Sequence, residues 1–259
     1  FLAGHCVHHF DCEKWKTHCN DCPYLNEMFT LDSDYSSLNF RILSDAVQNS
    51  SLTAIVASKW MEDKVKLSPI WKNKKVYRLP FGINQEIFCH VDSKLAKRNL
   101  GIDENNLVLM FRTVKDSFKG LDIIKESLRN LKIERKVTLI SVDQKGLLSE
   151  FESKYQIIEK GWINNDSELS ELYQACDLFL MPSKQETFGM MAIEAMSCGK
   201  MVLAINGPGT AVSEVINSPF CGLAVNEENY GVELQRLLNN TDEIIERGKK
   251  SEFFAKDNY

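Results

Sequence analysis

Two glutamates eight residues apart mark the stretch of this sequence that is best suited to chemistry. Glu186 is predicted to lie in a loop, and Glu194 in a helix that we expect to begin near Thr187. The free N–H groups of a helix's first turn, together with the helix dipole, favour bound anions. Gly189 in that turn has no side chain to block a phosphate or a sugar. The pattern indicates a site for an anionic ligand that carries hydroxyl groups.

Glu194 stands among apolar neighbours, from Met190 to Met196. An ionised carboxylate in such surroundings is unfavourable unless it is paired or hydrogen-bonded. One interpretation is that Glu194 accepts hydrogen bonds from ligand hydroxyls, such as a ribose diol. The other is that it occupies a solvent-exposed helix position or forms a structural salt bridge. Local chemistry leaves both interpretations open.

The elements that must position these residues are short apolar strands, which alternate with helical segments from about residue 100. Continuous apolar strands indicate a sheet that is covered on both faces. Strand–helix alternation of this length indicates parallel strands joined by right-handed crossovers. The predicted fold is therefore a doubly wound α/β domain. The predicted strands lie at residues 52–57, 76–79, 107–111, 137–140, 156–158, 178–181 and 201–205.

In a doubly wound sheet, ligands bind beyond the carboxyl ends of the strands. The segments that follow the predicted strands contain two cations, several glycines, an aromatic residue and a carboxylate, which suits an anionic ligand. These segments are Arg112 to Lys119, Gly161-Trp162, Ser183 to Gly189 and Gly207-Pro208-Gly209.

Size and charge exclude several classes of protein. With 259 residues, of which 44% are hydrophobic, the chain can form one large or two modest domains. The net charge of -5 argues against a nucleic-acid-binding surface. No apolar run approaches the roughly 20 residues that a membrane-spanning helix needs. The chain begins without Met, and both of its ends suggest a fragment of a longer protein.

Four segments together resemble family 4 glycosyltransferases. Residues 186–202 are similar to that family's E-x7-E signature, and residues 173–183 match the segment that usually precedes it. Lys119-Gly120 resembles the family's Lys-Gly motif, and residues 79–84 resemble its domain-boundary motif. The resemblance implies the GT-B architecture of two Rossmann-like doubly wound domains, of which the N-terminal one is incomplete here. Residues 1–83 would be the C-terminal portion of the acceptor-binding domain, and residues 84–259 the donor-binding domain.

The resemblance assigns roles to the two glutamates and to the loop between them. Glu194 would bind the ribose of a nucleotide, and Glu186 would lie against the donor sugar near the reacting carbon. The backbone of Thr187, Phe188 and Gly189 would hold sugar hydroxyls or the distal phosphate.

Three further residues would complete the donor site. Lys119 would neutralise the diphosphate together with Arg112, although a solvated loop lysine is the alternative for Lys119. The spacing from Arg112 to Lys119 is two residues longer than the common family pattern, which leaves the register of Arg112 open. Ile163 would contact the base, while Trp162 is equally compatible with a core position.

The implied reaction moves a sugar, with retention of configuration, from a nucleoside-diphosphate sugar to a glycan or lipid-linked glycan acceptor. The resemblance implies no metal ion in catalysis, because fixed cations take that role. We expect a cytosolic protein, with peripheral association at the inner face of the membrane left open. A non-catalytic nucleotide-sugar-binding subunit and a nucleotide-sugar epimerase are the alternatives. A dinucleotide oxidoreductase is disfavoured because no G-x-G-x-x-G follows the first strand of the domain.

The first residues form a separate block that is rich in cysteine and histidine. His5 matches a family histidine that reaches the cleft near the donor sugar, and we predict a catalytic role for it; a zinc ligand or a packed loop histidine is the alternative. Cys6, Cys12, Cys19 and Cys22 admit three interpretations: a structural zinc site, a pair of disulfides, or free thiols in a small core.

Overall fold

The computed structural model describes residues 2–6, 11–26 and 31–259. The chain divides into two compact units, Phe1–Pro80 and Phe81–Tyr259. The assignment of these parts to acceptor and donor binding stays a prediction.

In the first unit, helices flank a small parallel sheet, in which Ala54 is paired with Val76. Ser58 caps the helix that follows it, because its hydroxyl accepts a hydrogen bond from the N–H of Met61 at 3.1 Å. Trp15 and Phe40 are buried in the core of this unit. Its regular elements are α1 (Ser36–Gln48), β1 (Ala54–Val56), α2 (Lys59–Leu67) and β2 (Val76–Arg78).

The second unit is a six-stranded sheet with helices on both faces. Its strands are β3 (Leu107–Thr113), β4 (Val137–Asp143), β5 (Gln156–Glu159), β6 (Leu178–Met181), β7 (Met201–Ile205) and β8 (Leu223–Val225). Its helices are α3 (Ser93–Asn99), α4 (Leu121–Asn130), α5 (Asp166–Ala175), α6 (Met190–Ser197), α7 (Val212–Val215), α8 (Tyr230–Asn239) and α9 (Thr241–Asn258).

The strand order is β5-β4-β3-β6-β7-β8, and every pairing is parallel. Along the chain, β3, β4 and β5 extend the sheet in one direction. The chain then returns to the other side of β3, and β6, β7 and β8 extend the sheet in the opposite direction. The crevice between β3 and β6 is the topological switch point, where ligands bind in sheets of this type. The predicted doubly wound α/β fold is confirmed.

Alternating residues of each strand enter separate hydrophobic cores on the two faces of the sheet. In β3, Val108 and Met110 pack into one core, whereas Leu109 and Phe111 pack into the other. This double burial is the reason why β3, β6 and β7 have long apolar runs instead of alternating apolar and polar residues. Within the described ranges, no helix has the length and apolar character that crossing a membrane requires.

The predicted start of the helix that carries Glu194 was wrong by three residues. α6 begins at Met190, and Gly189 precedes it in a left-handed conformation with φ of 101°. Thr187 and Phe188 therefore belong to the loop and not to the first turn of the helix.

Candidate functional site

The loop after β3 and the loop after β6 are held against each other by backbone contacts. The N–H of Lys184 donates to the carbonyl oxygen of Phe118 at 2.8 Å. Gly120 has a left-handed φ of 74°, and a methyl group at this position would overlap the carbonyl oxygen of Pro182. Glycine thus permits a closer approach of the two loops than any other residue would.

This close approach brings two of the predicted site residues into contact. The ammonium group of Lys119 donates to Oε2 of Glu186 at 2.9 Å. The two side chains are 67 residues apart in sequence, and both are only partly exposed. A cation and a carboxylate therefore share the carboxyl edge of the sheet, at its switch point.

The backbone of Glu186 is fixed by a second loop, the one after β7. Its N–H donates to the carbonyl oxygen of Gly209 at 3.1 Å, and its own carbonyl oxygen accepts from the N–H of Ala211 at 2.8 Å. This pairing keeps residue 186 extended. It gives a physical reason for the late start of α6, because the carbonyl oxygen of residue 186 already accepts from Ala211 and is not available for the first hydrogen bond of a helix that begins at Thr187.

A cavity of about 240 Å³ opens between these loops. Met190 and Met191 of α6 form one wall, and Phe81 lies at its border. Six residues that the sequence analysis assigned to the site also line it: Arg112, Lys119, Glu186, Thr187, Phe188 and Gly189.

Arg112 is already paired with a carboxylate that the sequence analysis missed. Its Nη2 lies 2.6 Å from Oδ2 of Asp143, and its Nε donates to the same oxygen at 2.6 Å. Asp143 is the last residue of β4, which is hydrogen-bonded to β3. Its place directly after an apolar run, at the ligand-binding edge, was the signal that could have identified it. Asp143 fixes the orientation of the guanidinium group and compensates part of its charge.

The side chain of Phe188 serves packing. It is 2% exposed and makes edge contacts with the rings of Phe81 and Tyr259, with centroid distances of 5.2 and 5.6 Å. Only its backbone is therefore suited to contact a ligand, as the resemblance implies.

Glu194 does not line this cavity, but it lies on the helix face that does. Met190 and Met191 precede it by four and three residues, which places all three on one side of α6. Its Oε2 accepts a hydrogen bond from the hydroxyl of Tyr173 at 2.8 Å. Burial raises the pKa of this carboxyl group. Glu194 forms no salt bridge with the residues that the structure describes, so the salt-bridge alternative gains no support from the geometry.

Ile163 and Trp162 lie apart from this cavity. Ile163 is partly buried against the hydrophobic core. Trp162 is 68% exposed, and its ring N–H donates to Asn164, so a core position for Trp162 is excluded.

The four N-terminal cysteines and His5 line one small cavity in the first unit. Burial, reinforced by the other three thiols, raises the pKa of Cys6 to about 12. No group of three or more His, Cys, Asp or Glu residues in the described ranges is arranged to hold a metal ion. His8 and His9 lie outside these ranges. The zinc interpretation therefore gains no support from the geometry and stays a prediction. Metal analysis of protein purified without added zinc would test it.

Comparison with known proteins supports the family resemblance that the sequence motifs indicate. A model of the family "Glycosyl transferases group 1" matches residues 92–252, which is more than half of the chain. Two curated relatives are similar in sequence. A D-inositol 3-phosphate glycosyltransferase from Stackebrandtia nassauensis is 29% identical over 158 residues, covering 54% of this chain and 36% of the relative. An N,N'-diacetylbacillosaminyl-diphospho-undecaprenol alpha-1,3-N-acetylgalactosaminyltransferase from Campylobacter jejuni is 22% identical, covering 81% of this chain and 70% of the relative.

Two solved structures have a similar fold. Sucrose-phosphate synthase from Thermosynechococcus elongatus superposes with a TM-score of 0.71 at 20% identity, covering 88% of this chain and 60% of that one. The Anabaena protein HepE, solved in complex with UDP-glucose, superposes with a TM-score of 0.67 at 18% identity, covering 86% and 64%. The matched regions cover between 36% and 70% of the length of these four proteins. The structural likeness confirms the predicted GT-B-type fold.

Proposed function

The chain belongs to the glycosyl transferases group 1 family, and from this membership we propose that it takes part in moving a sugar from a nucleoside-diphosphate sugar to a glycan or lipid-linked glycan. The observation that carries the proposal is the Lys119–Glu186 pair at the switch-point cavity. A cation that suits a diphosphate and a carboxylate that suits sugar hydroxyls lie side by side, at the edge where sheets of this type bind ligands. We assign the enzyme to the retaining, family 4 type on the E-x7-E spacing.

The donor would lie across the cavity with its diphosphate toward Lys119 and Arg112. The first-turn N–H groups of α6 would contribute as well, because this helix has no side-chain cap at its N-terminus. Glu186 would accept hydrogen bonds from the donor sugar, and Glu194 from the ribose. Ile163 would contact the base from beyond the cavity. The alternatives of a non-catalytic subunit and an epimerase gain no support from the family match.

The chemistry follows from where charge develops. As the bond between sugar and phosphate breaks, negative charge grows on the departing diphosphate, and the two cations stabilise it. The acceptor oxygen forms the new bond on the same face of the sugar, and its proton passes to the departing phosphate. No residue of the chain needs to form a covalent intermediate in this scheme.

The acceptor is proposed by analogy with relatives. The Campylobacter jejuni relative is named for an undecaprenol-diphosphate-linked acceptor, which supports a lipid-linked glycan and a role in polysaccharide biosynthesis. A lipid-linked acceptor would be met at a membrane surface, and we place the reaction at the inner face of the membrane.

His5 would act near the donor sugar, so His5→Ala is expected to reduce turnover and to leave nucleotide affinity unchanged.

A thermal-shift panel with UDP-, GDP- and ADP-sugars tests donor binding. A ligand that binds only the folded state raises the melting temperature, by roughly 5 °C at a hundredfold excess over its dissociation constant. We expect one nucleotide base to give a clear shift. Glu194→Ala should abolish this shift, whereas Glu134→Ala, at an exposed loop position, should not change it. If none of the nucleotides shifts the transition, or if Glu194→Ala responds like the parent protein, the proposal is contradicted.

A further inference from the structure

Tyr173 is the one described residue that hydrogen-bonds the side chain of Glu194, and the sequence analysis gave it no role. It lies on α5 and is fully buried, with 0% of its surface exposed. Its ring makes edge contacts with Phe88 and Phe179, with centroid distances of 6.2 and 5.4 Å. Because the core holds the ring, the hydroxyl has a fixed position from which it donates to Oε2 of Glu194 at 2.8 Å.

The two oxygens of Glu194 have different surroundings. Oε2 is occupied by the hydroxyl of Tyr173. Oε1 accepts no hydrogen bond from the residues that the structure describes, and it is reachable from solvent. One oxygen is therefore held by the core while the other remains available for a ligand.

We propose that Tyr173 is a positioning residue, which holds the Glu194 carboxylate in the orientation and the ionised form that bind the ribose hydroxyls of a nucleotide. The inference rests on the proposed function, since it requires a nucleotide at this site. Tyr173 itself is fully buried, so it would act on a ligand only through Glu194.

Electrostatics support this assignment. Burial raises the pKa of Glu194, and the neighbouring Asp166 on α5 raises it further, whereas the hydrogen bond from Tyr173 lowers it. The thiol of Cys198 also interacts with Glu194. Because burial raises the pKa of Tyr173 well above its usual range, its hydroxyl stays protonated and remains a donor. Loss of this donor would therefore raise the pKa of Glu194 again.

The test compares Tyr173→Phe with the parent protein by isothermal titration calorimetry. The probes are UDP, GDP and ADP together with their 2′,3′-dideoxy forms, and the base that binds the parent protein most tightly is used. Tyr173→Phe keeps the ring and removes the hydroxyl. We expect it to weaken binding of the ribose nucleotide about tenfold and to leave binding of the dideoxy nucleotide unchanged.

Tyr230→Phe is the matched control. Tyr230 is also fully buried in the second unit, and its hydroxyl donates to the backbone carbonyl oxygen of Leu203 at 3.0 Å. Both variants lose one buried hydroxyl, but Tyr230→Phe should bind the ribose and dideoxy nucleotides as the parent protein does. Any general loosening of the domain would weaken binding of both nucleotides in both variants.

The pH dependence gives a second readout. An ionised Glu194 accepts stronger, charge-assisted hydrogen bonds than a neutral one, so ribose-dependent affinity is fully present above its raised pKa and weakens as the pH falls through it. In Tyr173→Phe this loss should begin at a higher pH. The same titration of the unaltered protein keeps the inference testable if the variant does not fold, because the advantage of the ribose over the dideoxy nucleotide should then shrink on acidification.

The outcomes separate the two proposals. If the parent protein binds none of the nucleotides, the proposed function fails and takes this inference with it. If the parent protein binds a ribose nucleotide and Tyr173→Phe binds it equally tightly, with the same pH profile, the positioning role alone is overturned. Equal weakening toward the ribose and the dideoxy nucleotide would also overturn it, since that result indicates a structural role.

Discussion

Two lysine–carboxylate pairs lie at opposite edges of the same parallel sheet. At the amino edge, Lys97 pairs with Asp177 at 2.8 Å, and their side chains are 6% and 24% exposed. At the carboxyl edge, Lys119 pairs with Glu186 at 2.9 Å, with exposures of 18% and 21%. The distance between nitrogen and oxygen and the exposed fractions of the side chains do not distinguish the two pairs.

Their remaining hydrogen bonds distinguish them. The ammonium group of Lys97 donates to both oxygens of Asp177 and to the carbonyl oxygen of Asn106, so its three donors are used within the protein. In the described residues the ammonium group of Lys119 has Glu186 as its single hydrogen-bond acceptor, and it faces a cavity. Saturated donors indicate a structural pair, whereas unused donors next to a cavity indicate a pair that can still bind a ligand.

The largest effect on stability is expected at the amino edge. Asp177→Asn leaves Lys97 buried without a compensating charge, and it weakens the carboxylate's contact with the N–H of Val108, now 2.7 Å long. We expect the free energy of unfolding to fall by about 3 kcal/mol or more, measured by urea denaturation. A loss below about 1 kcal/mol would show that the pair is not structural.

At the carboxyl edge we expect the reverse pattern. Glu186→Gln keeps the size of the side chain and removes its charge, so it should leave the free energy of unfolding within about 1 kcal/mol of the parent value. Turnover of the nucleotide-sugar should fall by roughly 100-fold, the size of effect that removal of one preorganised polar group has in other enzymes. Release of nucleoside diphosphate from the sugar donor provides the assay. Unchanged turnover would remove Glu186 from the reaction.

A smaller effect is expected for the glycine that brings the loops together. Gly120→Ala would force apart the loops that carry Lys119 and Glu186, and it would strain a left-handed backbone. Gly101→Ala is a matched control, since Gly101 has a similar φ of 69° but no atom within 4 Å of the place that the added methyl group would occupy. We expect Gly101→Ala to cost about 1 kcal/mol without altering nucleotide affinity. Gly120→Ala should cost more and should weaken binding; equal behaviour of the two variants would contradict the proposed loop contact.

Much of the fold could be predicted from apolar runs, because strands buried on both faces show in the sequence as uninterrupted apolar segments. Ligands bind beyond the carboxyl ends of the strands in such a sheet, so the predicted ends of β3, β6 and β7 indicated where the cavity would lie. The short strand β8 was missed. Its three residues are only partly buried, so their composition carries little signal.

The errors at the site have a common cause, which is contact between segments distant in sequence. The start of α6 is set by the pairing of residue 186 with the loop at residues 209–211, which no local propensity reveals. The charge of Arg112 is compensated by Asp143, 31 residues away. Tyr173 was part of a matched motif, but its role depends on the packing of α5 against α6.

The central claim, that a diphosphate binds at Lys119, is tested most directly by calorimetry of the nucleoside diphosphate that the thermal-shift panel selects. The variant is Lys119→Met, and the control is Lys136→Met, an exposed lysine that precedes β4 at the amino edge. A charge-assisted contact contributes about 1.5–3 kcal/mol, which corresponds to a roughly tenfold to hundredfold loss of affinity. We predict that loss for Lys119→Met and none for Lys136→Met. Equal affinity in both variants and the parent protein would contradict the account.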